Sequence, residues 1–429
     1  MKIESLRLFN FKGIEELDIE FGRKSTILFG INGVGKSSIL RAIDLLYANI
    51  INRVSTYRTS AQIELEDIMY GKARTEIGAE FSFSDNTNIS YGRFMSRFGK
   101  KRTHKLDQLK EIQNYFIQHY IEEPYEDEEG NYIIPDDLKN MPVFVNYGVN
   151  RLVLKIPVRV SNRYSFDKMS AFDKAIESRI DFRLLFEWFR AQEDYENQIK
   201  VREGKDYEDK SLKAVKRAML AMMPDCSDIY IERKPLAMKV VKAGESLSMS
   251  QLSDGEKCTI ALFGDLARRL ALANPSLENP LQGTGVVLID EVELHMHTSW
   301  QRRVVPVLQN LFPNIQFIIT THSPQVLGEL TEDSNLYTLL RIGEKIECRK
   351  CIVPYGWDSN VILEELMKTS SLNQDIKKMI EEMYESEAAG NYGRAYEIAD
   401  EIDSLTNGKI SDTAKIRMII NRKTRNAKN

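Results

Sequence analysis

Residues 30–37 read Gly30-Ile31-Asn32-Gly33-Val34-Gly35-Lys36-Ser37. They lie between the apolar run Ser25-Thr26-Ile27-Leu28-Phe29 and the segment Ser38-Ile39-Leu40-Arg41-Ala42-Ile43, whose apolar positions recur at helical spacing. The order of strand, glycine-rich turn and helix separates a phosphate-binding loop from a chance run of glycines. Gly30, Gly33 and Gly35 let successive backbone N–H groups converge on phosphate oxygens, where a Cβ would obstruct them. The start of the following helix adds partial positive charge. Lys36 can reach the β- and γ-phosphates, and the Ser37 hydroxyl suits Mg²⁺. Asn32 and Ser38 complete the residues placed around the phosphates. The stretch predicts an α/β fold that binds a nucleoside triphosphate.

Three later stretches refine this. Val286-Val287-Leu288-Ile289-Asp290-Glu291 is a continuous apolar run ending in two acids, the pattern of a strand buried on both faces of a parallel sheet. Its carboxyl end is where such sheets place ligands. Asp290 is suited to hold Mg²⁺ and Glu291 to polarise an attacking water. Leu252-Ser253-Asp254-Gly255-Glu256 precedes a helical pattern. Alone it reads as a Ser/Asp helix cap; about 35 residues ahead of an acid-tipped strand, Ser253 and the Gly255 backbone also make an anion site. Phe317-Ile318-Ile319-Thr320-Thr321-His322-Ser323 is a second buried strand, ending in one of only five histidines.

In this order the stretches resemble an ABC-type ATPase head. Residues 252–256 resemble its Leu-Ser-Gly-Gly-Gln signature, with Asp254 and Glu256 in place of Gly and Gln, and His322 matches its switch histidine. The opening, Met1-Lys2-Ile3-Glu4-Ser5-Leu6-Arg7-Leu8-Phe9-Asn10-Phe11-Lys12-Gly13-Ile14, resembles the RecF/SMC/Rad50-like branch. Asp290-Glu291-Val292-Glu293-Leu294-His295-Met296-His297 is similar to a pattern of small prokaryotic ATPases in that branch. Val143-Phe144-Val145-Asn146-Tyr147-Gly148-Val149-Asn150-Arg151 and Phe186-Glu187-Trp188-Phe189 resemble further segments of the group. Tyr355 to Asn360 and the helical tail are similar to the ATPase subunit (PtuA) of Septu anti-phage systems, also found attached to retrons. The resemblance implies a two-lobed head with mixed β-sheets, ATP and Mg²⁺ as ligands, and a homodimer or higher homo-oligomer. In it Ser253 and Gly255 of one chain would meet the γ-phosphate held by the other. It also implies a separate HNH nuclease partner, with nucleic acid reached through the complex.

Composition bounds the alternatives. Lys+Arg of 59 against Asp+Glu of 63 in 429 residues gives a net charge of −4, without the basic excess of a nucleic-acid binder. No apolar run approaches the ~20 residues that span a bilayer, the N-terminus reads as an amphipathic strand rather than a signal peptide, and four scattered cysteines suit a reducing compartment. A cytoplasmic protein without membrane partners is expected. Cys348 and Cys351 lack two further ligands nearby for zinc, so an edge strand is expected there.

Residues 1–350 are expected to form the head, with an irregular, charged insertion at 98–140 and a helical segment at 165–222 that places Leu184, Leu185, Trp188 and Phe189 on one face. The acidic run Glu122 to Glu129 reads as a solvated loop. Residues 351–429 are expected to be a helical assembly or partner region, striped by Ile376, Met379, Ile380, Met383, Ala395, Ile398, Ala399, Ile402 and Leu405 and broken at Gly390 and Asn407-Gly408. Lys415 to Lys428 carries six basic residues and no acid, which suits a nucleic-acid or partner contact no better than a frayed, solvated tail.

Neither Gln62 nor Gln108 makes a convincing Q-loop, and no heptad repeat provides a coiled-coil arm. The 107 residues after His322 lack the Glu and Asp-x-Asp of a Toprim nuclease, so no intrinsic nuclease is expected. The charges of Asp254 and Glu256 near the transferred phosphate predict slow hydrolysis. With these features the resemblance implies a slow ATPase subunit of an anti-phage complex that controls a nuclease partner. A RecF-like repair ATPase acting directly on DNA is the alternative, and a transporter ATPase is a weaker third.

Overall fold

The computed structural model describes residues 1–22, 25–98, 106–121, 125–126, 132–133, 139–151, 166–204, 206–343, 345–370 and 372–426. The chain divides into two compact units, Met1–Trp357 and Asp358–Asn429.

In chain order the first unit contains β1 (Lys2–Phe11), β2 (Ile14–Glu20), β3 (Thr26–Phe29), α1 (Lys36–Val54), β4 (Arg74–Ser82), β5 (Asn88–Ser96), α2 (Leu106–Tyr120), β6 (Tyr125–Glu126), β7 (Tyr132–Ile133) and β8 (Val143–Tyr147). There follow α3 (Phe182–Glu203), α4 (Lys210–Leu220), β9 (Cys226–Arg233), β10 (Leu236–Lys242), β11 (Glu245–Ser248), α5 (Asp254–Ala273), β12 (Gly285–Ile289), α6 (Thr298–Leu311), β13 (Ile315–Thr321), α7 (Pro324–Leu327), β14 (Asn335–Ile342) and β15 (Lys345–Cys351).

A six-stranded sheet in the order β15-β14-β3-β13-β12-β8 is the centre of this unit. Its pairs are parallel except β14 with β15. Every residue of β3, β8, β12 and β13 is buried, as continuous apolar runs in a covered parallel sheet require. Antiparallel sheets β2-β1-β4-β5 and β11-β10-β9 flank it. β1, β2, β4 and β5 instead alternate buried and exposed positions, one face inward and one solvated. This is an ABC-type head architecture, mixed sheets with flanking helices.

Within the expected helical segment the described residues form α3 and α4, with Leu184, Leu185, Trp188 and Phe189 all buried. The expectation of an irregular insertion at 98–140 is corrected by α2, which buries Leu109, Ile112, Phe116 and Tyr120 along one face. These positions do recur at helical spacing, but flanking charge obscures them. Most of the acidic run Glu122 to Glu129 lies outside the described residues. Cys348 and Cys351 sit on β15, the edge strand, as free thiols. No helix of the described residues is long and apolar enough to cross a membrane.

The second unit begins with α8 (Ser359–Val361) and contains α9 (Gln374–Ala388), α10 (Tyr392–Thr406) and α11 (Ser411–Asn426). Asn373 and Asn391 cap α9 and α10 through their side chains, and Asn407 ends α10 in the left-handed region. Met383, Ala395, Ile398, Ala399 and Ile402 close on Ile416 and Ile420 of α11, with Ile376, Met379 and Ile380 packed alongside. The predicted stripe is thus covered within its own unit rather than left for a partner. Leu405 departs from it and is 63% exposed.

Within the first unit α1 is tied to β8 by a buried polar pair, the Asn146 amide donating to Asp44 Oδ2. Burial pushes the Asp44 carboxyl from 3.8 up to about 8, with Asp290 adding to the rise and Asn146 and Arg41 opposing it. The folded state therefore keeps a proton that the unfolded chain has lost, so stability falls as pH rises from about 4 to about 8 and then levels off. Asp44→Asn should remove this loss. Urea denaturation at pH 5.5 and 7.5 should show wild type losing on the order of 1 kcal/mol per pH unit more than the variant.

Candidate nucleotide site

Between the end of β3 and the start of α1 the chain makes a turn through Gly30, Gly33 and Gly35, with φ of 148°, 79° and 97°. Side chains other than glycine rarely adopt these values. A Cβ on Gly30 would stand 2.6 Å from the Leu339 carbonyl oxygen, whereas Gly33 faces open space. Asn32 and Ser37 are exposed and Ser38 is half-buried in the first turn of α1. Lys36 is only 5% exposed. Its ammonium donates to the carbonyls of Gly30 at 2.9 Å and Ile31 at 3.0 Å, which closes the loop on itself. Burial lowers its pKa, and the carboxylates of Asp290, Glu291 and Glu293 oppose that shift.

Those carboxylates follow β12. The Asp290 N–H donates to the Tyr147 carbonyl at 2.8 Å, extending the β8–β12 pairing past Ile289. The Thr320 hydroxyl on β13 donates to Asp290 Oδ1, and its oxygen accepts the Glu291 N–H at 2.8 Å. Glu291 has φ 49°, a left-handed conformation that costs a non-glycine residue about 1–3 kcal/mol and persists only where neighbours hold it. Arg151, 2% exposed, donates to the carbonyl oxygens of Asp290 at 2.8 Å and Glu291 at 2.6 Å.

Glu293 accepts the Thr321 hydroxyl at 2.8 Å and the His322 N–H at 2.6 Å, which fixes the exit of β13. His322 Nε2 lies 3.9 Å from Glu291 Oε1. Burial and then Lys36 lower the His322 pKa, against the three nearby carboxylates. The structure thus brings Lys36, Asp290, Glu291 and His322 into one electrostatic cluster.

Ser37 and Asp290 offer a hydroxyl and a carboxylate, hard oxygen donors. Mg²⁺ takes few protein ligands and leaves the rest to water and phosphate. Among the described residues no group of three or more His, Cys, Asp or Glu forms a self-sufficient metal site. A carboxylate excess around one ammonium suits a dication that arrives with its phosphates.

Ser253 is the N-cap of α5 in a reciprocal capping box with Glu256. Its hydroxyl donates to Glu256 Oε2 at 2.7 Å and its N–H to the same oxygen at 2.8 Å. Glu256 also accepts from Lys242 at 2.5 Å, and this pairing holds its carboxyl below the usual range despite burial. The charge of Glu256, expected near the transferred phosphate, is engaged here by the cap and by Lys242. Asp254 lies 3.2 Å from Lys257, with its side chain 68% exposed. At Gly255 a Cβ would come 2.5 Å from the His295 carbonyl oxygen, so the signature turn packs against the loop that follows Glu291.

Thr320, Glu293 and Arg151 lay inside the quoted stretches without an assigned role. The signal for Arg151 is a charged residue four positions past a fully buried strand, β8. Gln62 lies between α1 and β4 and Gln108 on α2, whereas the segment after β8 holds the contacts to Asp290 and Glu291.

Ser253→Ala removes the cap hydroxyl and leaves Glu256 with only Lys242 and the backbone N–H of residue 253. It should lower stability by about 1 kcal/mol. Glu256→Gln keeps an acceptor for both bonds and should cost less, as urea midpoints would show.

A family model described as "AAA domain" matches residues 5–218, and one described as "AAA domain, putative AbiEii toxin, Type IV TA system" matches residues 144–328. The Retron Ec83 probable ATPase of Escherichia coli is 30% identical, over 92% of this chain and 83% of its own length. The Retron Vc95 probable ATPase of Vibrio cholerae is 29% identical over 78% and 72%. The Septu protein PtuA of Bacillus mycoides is 26% identical over 80% of this chain and 41% of its own.

Proposed function

Because the chain belongs to the RecF/SMC/Rad50-like ATPase family of the Retron Ec83 probable ATPase, we propose that it binds and slowly hydrolyses ATP as a subunit of an anti-phage defence complex. The observation that carries this reading is the meeting of Lys36, Asp290, Glu291 and His322 at the carboxyl ends of β3, β12 and β13.

The phosphates lie over the open face of the Gly33 turn, and the Lys36 ammonium exchanges its bonds to the Gly30 and Ile31 carbonyls for phosphate oxygens. Glu291 takes a proton from the attacking water as its oxygen bonds to the γ-phosphorus and the bond to ADP breaks. His322 donates a ring N–H hydrogen bond to the γ-phosphate. Mg²⁺ held by Ser37 and Asp290 would offset charge on the phosphates. Ser253 and Gly255 serve the nucleotide of a second copy, in a head-to-tail homodimer or a higher oligomer. To do so the Ser253 hydroxyl must leave Glu256, a cost that supports slow turnover on different grounds from charge repulsion. The names of the retron and Septu relatives support the defence role, and a separate HNH nuclease is the partner this reading proposes.

Glu291→Gln should bind ATP and accumulate as a dimer, read by multi-angle light scattering; a monomer at saturating ATP would count against the pairing. Lys36→Met should abolish binding of a fluorescent ATP analogue. Wild-type turnover should fall below ~10 s⁻¹, the median for enzymes, and Glu256→Gln should raise it. A turnover at or above that value would sink the slow-hydrolysis reading.

A further inference from the structure

Arg151 is buried at the meeting point of three elements. Its guanidinium spans two consecutive carbonyls, those of Asp290 and Glu291. Its own carbonyl accepts the Cys258 thiol at 3.6 Å, in the second turn of α5. Four residues earlier the Tyr147 hydroxyl donates to Asp265 of α5 at 2.9 Å, and Asp265 is held by Arg268 and Arg269 at 2.7 Å each. The end of β8 is therefore fastened to α5 twice, and through Arg151 to the turn that bears Glu291. Gly255, one turn ahead of Cys258, packs on the His295 carbonyl of the same loop.

A planar fork holds two adjacent carbonyls in one fixed geometry, whereas the rotatable donors of an ammonium on a flexible stem leave that geometry loose. Here it holds the carbonyls on either side of the strained Glu291 backbone. We propose that Arg151 is a positioning residue that ties the signature helix α5 to the catalytic turn of its own chain, so that the engagement of Ser253 and Gly255 sets the aim of Glu291. The proposal rests on the ATPase reading above. It assigns Arg151 no contact with nucleotide: the guanidinium is committed to backbone, and its charge acts on Asp290, Glu291 and Glu293 from behind.

The test is steady-state ATP hydrolysis by the full-length protein with Arg151→Lys, which keeps the charge and loses the fork, and Arg151→Gln, which leaves no buried cation. Both should lower kcat by about tenfold or more while the KM for ATP and the affinity for a fluorescent ATP analogue stay within about twofold. In a double-mutant cycle, Arg151→Lys should add little to Glu291→Gln, because the two act through one group. The proposal is overturned if kcat is unchanged, if nucleotide affinity falls in parallel with kcat, if the two substitutions multiply, or if both variants lose their cooperative melting transition. If the wild type hydrolyses no ATP, the ATPase reading itself fails; if it does while Arg151→Lys matches it, only the positioning role falls.

Discussion

One buried ammonium faces three carboxylates without forming an ion pair with any of them. Lys36 is bonded to two carbonyls of its own loop. Asp290 is bonded to Thr320, and Glu293 to Thr321 and the His322 backbone. A direct pair would have been a low-energy resting state, and breaking it would have penalised every nucleotide that entered. Instead Lys36, Asp290 and Glu293 keep backbone or hydroxyl partners while Glu291 faces His322 at 3.9 Å, and the mutual field remains available to a ligand that brings both negative phosphates and a dication. The parallel order β3-β13-β12 makes this possible, because it delivers the loop, the histidine and the acids at the same end of the sheet from segments far apart in sequence.

The same sheet explains why the acids stay aimed. Glu291 leaves β12 in a left-handed conformation that no local preference of glutamate supports. Its hold comes from β13 through Thr320 and from β8 through Arg151. β8 is in turn locked to α1 by the Asp44–Asn146 pair and to α5 by Tyr147. The helix that follows the phosphate loop and the helix that carries the signature are therefore braced against one edge strand. Burial strengthens that brace, since an unmatched polar group there would cost more than one in water.

Local pattern made the centre of the fold legible. A strand buried on both faces announces itself as an apolar run, so β3, β12 and β13 could be placed from residues alone, and the glycines around Lys36 named the turn between β3 and α1. In α2 Leu109, Ile112, Phe116 and Tyr120 keep helical spacing, but charged stretches on both sides mask that pattern in the sequence. Arg151 could not be assigned from sequence: its partners lie 139 and 140 residues away, and only the β8–β12 register brings them within reach. Ser253 shows the opposite case. Cap and anion site were both chemically sound for one serine, and the folded chain shows the cap.

The C-terminal stripe carries a separate lesson. An amphipathic helix must cover its apolar face, and the sequence left open whether a partner or the head would do so. Three helices that cover one another remove that need: α9 and α10 give their stripes to Ile416 and Ile420 of α11, while Arg417 pairs outward with Asp400 and Asp403. α11 owes its order to this packing, and its basic residues are in part committed to the unit's own acids, with Lys423 against Glu387. The basic run therefore stabilises the bundle before it can serve any partner. A partner that used this unit would have to read its outer surface, where Leu405 and Met418 stand exposed, and not the stripe that first drew attention to it.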